Sequence, residues 1–371
     1  MKRVLLVLCL CGLPVAAQQY KIAVVSMLHA HVWLHLGTML KGEQVKLVGV
    51  AETRPELLER AKRTDQIPQS QNTRPGVPES LIFADWKKMI DETKPDIVWA
   101  FTPTNGHVEV VRYCAPRGIH VIVEKPLAAT LKEALEIQEL ANKHKVLVMT
   151  NYGSTWQAAN YAAKAAVDAG EIGLVWRLHG VQGHNGPGDP RTSSFAAWLA
   201  DPVQNGGGAM MDFGCYLVNW SLLLKGRPET VYATANHMKP DVFPNVEDNA
   251  IIIMNYKDGV ALLEASWDLP PAQRAGNEIY GMKGSIVGRE IRKAGAARAA
   301  RGAQQPGDSL AVTPLPPERS EPIAYMVDRI KNRQPLDGPS ALDLNVSVQE
   351  VLEAAKMSVK TGKAIPLPFK Q

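Results

Sequence analysis

From Tyr20 to about residue 150, short apolar runs alternate with amphipathic stretches. Residues 21–26, 46–51, 96–101, 120–123 and 146–150 read as strands. Between the last two, residues 130–144 carry Leu131, Ala134, Leu135, Ile137 and Ala141 at helical spacing. Thr130 opens that helix as N-cap with Glu133 three residues on, a capping box. Strands alternating with helices predict a parallel, doubly wound sheet of the Rossmann type.

After residue 150 the texture changes. Strand patterns at 174–182, 230–237, 250–256 and 259–267 follow with few helices between, and Lys257-Asp258-Gly259 marks a hairpin turn. This predicts a second, α+β domain with a largely antiparallel open sheet. Residues 291–318 read as a long surface loop, and residues 344–361 as a final helix stopped by Gly362. The expected division is 1–17 leader, 20–150 nucleotide domain, 151–340 substrate and oligomerisation domain, and 341–371 a helix and tail packing back towards the first domain.

Composition changes this picture only at the ends. The 371 residues, 46% hydrophobic and 21% charged, are enough for two ordinary globular cores. Lys2-Arg3, the apolar run from Val4 to Leu13 and Ala16-Ala17 before Gln18 read as a signal peptide cleaved after Ala17, too short for a membrane span. The mature chain is then exported, to a periplasm or beyond. Loss of Lys2 and Arg3 lowers a net charge that is only +4 in the whole chain, so no nucleic-acid partner is expected. Cys9 and Cys11 leave with the leader, and Cys114 and Cys215 read as buried thiols.

The first strand runs into Ser26-Met27-Leu28-His29-Ala30-His31, where a dinucleotide fold places its GxGxxG turn. Ser26, Leu28 and His31 hold the three glycine positions, so the letters fail while the context holds. A strand precedes, a helix follows, and a second strand ends at Glu52, placed to accept from a ribose hydroxyl pair and to repel a 2′-phosphate. NAD is therefore expected as cofactor, with NADP not excluded because Arg54 is near. His29 and His31 are candidate donors to a pyrophosphate. No metal is expected there, since no carboxylate or cysteine lies near His29, His31 and His35 in sequence.

Three further segments carry a family resemblance. Thr102-Pro103-Thr104-Asn105-Gly106-His107 is followed at family spacing by Val121-Ile122-Val123-Glu124-Lys125-Pro126. Asn205-Gly206-Gly207-Gly208 precedes Asp212-Phe213-Gly214-Cys215-Tyr216-Leu217-Val218-Asn219, and Tyr280-Gly281-Met282-Lys283-Gly284 comes later. Together, over about residues 20–368, these resemble the Gfo/Idh/MocA oxidoreductases, in particular the glucose-fructose oxidoreductase-like branch. The resemblance implies cofactor contacts from Thr102, Pro103, His107, Glu124 and Lys125. It implies a catalytic set of Lys125 polarising the reacting oxygen, Tyr216 as acid/base where many relatives have histidine, and Asp212 orienting a hydroxyl. A neighbouring ammonium is expected to lower the Tyr216 pKa. His184, in a glycine-rich loop, and Asn219 are candidate substrate contacts. The implied substrate is a small sugar or polyol, and the implied assembly a homo-oligomer through the C-terminal sheet. Two other functions compete: a redox-neutral glycosidase or epimerase with tightly held NAD, and a non-catalytic binding protein on the same scaffold.

Overall fold

The computed structural model describes residues 19–270, 276–293 and 307–369; the expected leader lies outside them. Six parallel strands form the first sheet: β1 (Tyr20–Val25), β2 (Val45–Ala51), β3 (Ile82–Phe83), β4 (Ile97–Ala100), β5 (His120–Glu124) and β6 (Val148–Asn151). Their order is β3-β2-β1-β4-β5-β6, so the chain reverses direction across the sheet between β1 and β4. In such sheets ligands bind beyond the carboxyl ends of the strands at that reversal. Strand β4 is buried along its whole length, as expected where helices cover both faces.

One face carries α1 (Val32–Lys41) and α2 (Pro55–Lys62), and the other α3 (Trp86–Thr93), α4 (His107–Cys114) and α5 (Leu131–His144). The capping box at Thr130 and Glu133 is formed, with both reciprocal hydrogen bonds present. The second domain contributes α6 (Ala158–Asp168), α7 (Ser194–Leu199), the single-turn α8 (Ala209–Asp212) and α9 (Gly214–Lys225). Its sheet has nine strands among the described residues. The central ones are β7 (Val175–Gly183), β8 (Thr230–Asn236), β9 (Asn249–Tyr256), β10 (Gly259–Ser266), β11 (Gly276–Gly281) and β12 (Gly284–Val287). Strands β8, β9 and β10 pair antiparallel, but β7 joins β10 in parallel, so the sheet is mixed. That pairing is possible because a long connection holding α7, α8 and α9 separates the two strands in sequence.

Two elements depart from the expected division. Ile323, Tyr325 and Met326 of α10 (Pro322–Lys331) pack with Ile22, Val24 and Trp99, so the chain returns to the first sheet before residue 340. Within 291–318, the described residues include strand segments at Glu290–Lys293 and Asp308–Ser309; residues 294–306 lie outside the described set. The last helix, α11 (Leu342–Thr361), lends Val346 to the first core and Val348, Val351 and Leu352 to the second. It ends at Gly362 with φ of +67°, the left-handed stop that glycine adopts without strain. Cys114 and Cys215 are free buried thiols, pushed up to about 12 by burial. No described helix is long and apolar enough to cross a membrane.

The domains also meet through the glycine run. Gly206 has φ of +82°, and a Cβ there would come 2.3 Å from the Ala129 carbonyl oxygen. Gly206→Ala is therefore expected to lower the melting temperature by several degrees, through both backbone strain and a clash between domains. Thermal unfolding of the variant checks this; an unchanged midpoint would show that the contact gives way freely.

Candidate active site

The turn between β1 and α1 is built from side-chain contacts where a glycine turn would use bare backbone. Ser26 takes φ of +64° at the first glycine position, a left-handed conformation uncommon for serine. Its hydroxyl accepts from Leu28 N at 3.2 Å and lies 3.3 Å from Glu52 Oε2. Met27 N donates to Glu52 Oε2 (2.8 Å), His29 N to the Phe101 carbonyl (2.9 Å) and His31 N to His29 Nδ1 (3.2 Å). Four turn amides are thus taken by protein acceptors.

Glu52 is placed at the end of β2, and both its oxygens are engaged. Oε1 accepts from Thr53 N, Arg54 N and the Arg54 guanidinium. Burial opposes its charge, yet the three backbone donors and Arg54 prevail and hold the carboxyl below its ordinary value. Arg54 is accordingly paired with Glu52, its guanidinium 2.9 Å from Oε1.

Beyond the end of β5, Lys125 and Asp212 form a buried ion pair, at 5% and 4% exposure. Lys125 Nζ donates to Asp212 Oδ1, and Trp267 Nε1 donates to Asp212 Oδ2 at 2.8 Å. Burial works against both charges, but each outweighs it for the other, so the lysine is shifted up and the aspartate down. Trp267 carried no sequence signal, because its indole reaches Asp212 only when β10 lies under α8.

Tyr216 sits one turn on. Its ring centroid is 5.5 Å from Lys125 Nζ, and Tyr152 packs on it edge to face at 5.1 Å. Burial raises the phenol above its ordinary value, and the Lys125 charge, though it acts in the lowering direction, does not overcome it. The expected lowering is therefore reversed: desolvation outweighs one ammonium that is already shared with Asp212.

His184 belongs to an exposed loop, but its ring lies against Phe213 at 4.8 Å, with Nδ1 accepting from Gly186 N (2.9 Å). Burial of the ring, with Lys125 nearby, shifts it down despite Asp212. A neutral His184 with Nδ1 accepting carries its proton on Nε2 and is a donor there. Asn219 lies deeper, its amide donating to the Pro339 carbonyl (2.9 Å) and to Asn345 Oδ1 (3.2 Å), where it ties α9 to the start of α11. His107 is buried, and its Nδ1 meets the Leu127 carbonyl at 3.1 Å, bracing the segment after Lys125. Burial takes His107 down to about 4. Thr102 and Pro103 follow β4 after Phe101, and Thr102 Oγ1 has no partner among the described residues. Glu124 is fully buried, with Oε2 2.8 Å from His31 Nδ1 and Oε1 accepting from Asn151 Nδ2 and Trp99 Nε1. Its meeting with His31 spans 93 positions and was invisible to local spacing.

Two cavities adjoin these groups. One of about 470 Å³ runs between Leu28 and Ala30 of the turn, Leu57 and Arg60 of α2, and Ser193 and Phe195. The other, about 720 Å³, is lined by Tyr216, Gln157, Asn160, Gln182, Asn277 and Arg289 among others. Carboxamides that both donate and accept suit a polyhydroxylated ligand.

Comparison with known proteins gives two family matches. Residues 22–152 match the model described as the oxidoreductase family with NAD-binding Rossmann fold, and residues 161–287 the GFO/IDH/MocA C-terminal domain. A D-xylose 1-dehydrogenase (NADP(+)) of Haloferax volcanii is 27% identical over 53% of this chain and 58% of its own length. The levoglucosan dehydrogenase of Pseudarthrobacter phenanthrenivorans is 27% identical over 52% of this chain and 46% of its own. The chain thus spans about half the length of the curated relatives it matches. Among solved structures, the aldose-aldose oxidoreductase of Caulobacter crescentus has a TM-score of 0.74 at 22% identity, covering 94% of this chain and 100% of that one.

Proposed function

The chain belongs to the Gfo/Idh/MocA oxidoreductase family, and from that premise we propose that it transfers a hydride between NAD and a secondary hydroxyl of a sugar or polyol. The buried Lys125–Asp212 pair at the carboxyl edge of the parallel sheet carries this reading. The 470 Å³ groove beside the turn would take the adenosine half of the dinucleotide, and the 720 Å³ cavity the sugar. NAD supplies the hydride acceptor when bound. Lys125 holds its ammonium, kept charged by Asp212, against the reacting oxygen, where it stabilises the developing negative charge. Trp267 fixes the Asp212 carboxylate so that the ammonium keeps one position. Tyr216, protonated at neutral pH, donates its proton to the oxygen in the reducing direction, and its phenolate, a minority form, accepts the hydroxyl proton in the oxidising one. His184 Nε2–H orients a further hydroxyl.

One observation favours a redox-neutral variant of this chemistry. His29 is 2% exposed because Phe195 and Trp198 of α7 lie on it, at 5.8 and 5.6 Å between ring centroids. A dinucleotide on that turn would be roofed by the second domain and slow to exchange, as a cofactor recycled within one catalytic cycle requires. Export, which we also propose from the leader, would favour the same arrangement, because no free nicotinamide pool exists outside the cytoplasm. Self-association through the outer face of the mixed sheet, where Ile251 and Val287 are exposed, completes the proposal.

Denaturing the purified protein and recording the absorbance and mass of any released nucleotide tests the cofactor reading. NAD(H) is expected. Calorimetry on the stripped protein should then show tighter binding of NADH than of NADPH, since Glu52 stays ionised and occupies Arg54. Equal affinities would sink the Glu52 argument, and binding of neither nucleotide would leave a scaffold without hydride chemistry.

A further inference from the structure

At the start of α1 the fold gathers three side chains that the hydride chemistry does not consume. We propose that His29, His31 and Glu124 form a binding site for one divalent transition-metal ion of the zinc and cobalt type. Each offers one donor atom, and these atoms lie within 4.8 Å of one another. His31 Nδ1 and Glu124 Oε2 are 2.8 Å apart. That separation is bridged by a proton in the metal-free protein; two tetrahedral ligands at about 2.0–2.2 Å from one ion lie about 3.4 Å apart, so the partly exposed His31 ring would move out by about half an ångström to admit it.

The site is built on both sides. Asn151 Nδ2 (2.9 Å) and Trp99 Nε1 (3.3 Å) donate to Glu124 Oε1 from behind, which turns Oε2 towards the imidazoles. Asn151 is itself fixed by Trp156 Nε1, which donates to its Oδ1 at 3.0 Å. Contacts of this kind orient a ligating carboxylate and raise metal affinity. His29 is buried with Nε2 unpartnered among the described residues, and its ring meets that of His31 edge to face at 4.4 Å. The His31 side chain is 30% exposed, which gives an ion a way in. The neighbouring cation, Lys125, directs its ammonium to Asp212, so its charge is neutralised away from the cluster. Two imidazoles and one carboxylate favour zinc, cobalt or iron over magnesium or calcium, which prefer all-oxygen sets. The expectation that no metal binds here rested on the lack of a nearby carboxylate in sequence, and folding brings Glu124 to the place.

The test needs neither nucleotide nor turnover, so its result is independent of the proposed oxidoreductase activity. Untagged protein is treated with chelator, dialysed and titrated with zinc chloride in a calorimeter and with cobalt chloride in a visible spectrometer. One ion per chain is expected, with cobalt ligand-field bands that zinc displaces. His31→Ala, at the least buried ligand, should weaken zinc binding by at least about 100-fold while leaving the far-UV circular dichroism unchanged. Glu124→Gln should abolish the cobalt bands, and His237→Ala, exposed on the other domain, should bind as wild type does. Absence of a one-to-one zinc complex in the wild type, or unchanged zinc affinity in His31→Ala, overturns the proposal.

Discussion

Lys125→Ala is expected to lower turnover by at least about 100-fold and to lower the melting temperature as well. The rate loss follows from removing a charge aimed at the oxygen where negative charge develops. The stability loss has a separate cause. Asp212 would remain buried with only the Trp267 indole as partner, and breaking a buried pair from one side costs about 3–5 kcal/mol. The double variant Lys125→Met with Asp212→Asn removes both charges at similar volume. It should regain most of the stability and none of the rate. Measuring kcat and thermal unfolding on the three proteins separates the two roles. Activity of Lys125→Ala within a few fold of wild type would make the pair a structural staple of the domain interface.

The parallel sheet was legible because five of its six strands are local apolar runs ending at a turn; β3 (Ile82–Phe83), two residues long, was not expected. Residues 130–144 show how local such information is: the capping box and the apolar spacing lie within fifteen positions, and the helix Leu131–His144 forms accordingly. Contacts that decide the chemistry are not local. Trp267 reaches Asp212 across 55 positions and His31 reaches Glu124 across 93, and no periodicity encodes either. The parallel pairing of Val175–Gly183 with Gly259–Ser266 escaped for the same reason, since a strand's pattern gives its buried face and not its neighbour. The glycine fingerprint is absent by its letters, and the turn was read from its context instead; Ser26 adopts the left-handed conformation at the first glycine position and its own hydroxyl holds Leu28 N.

Tyr216 tests where family resemblance and physical environment disagree. The family resemblance put a phenol beside an ammonium and so implied a lowered pKa; burial reverses the sign and keeps the phenol protonated past its ordinary value near 10. Reduction of a ketone, which needs the protonated form, should therefore hold a flat rate from neutral pH up to about 10. Oxidation needs the phenolate and should climb about tenfold per pH unit over the same range, because the basic form is a minority throughout. Tyr216→Phe keeps the ring on Lys125 and against Tyr152 and deletes only the proton-transfer group. Its kcat should fall by about 100- to 10,000-fold, the alkaline climb of oxidation should vanish, and KM should move far less than kcat. The melting temperature should stay near wild type, since among the described residues the phenol oxygen makes no hydrogen bond whose loss would strand a buried partner. Retained activity in Tyr216→Phe together with a large loss in His184→Ala would transfer the proton to the histidine and leave Tyr216 as an aromatic wall beneath the ammonium.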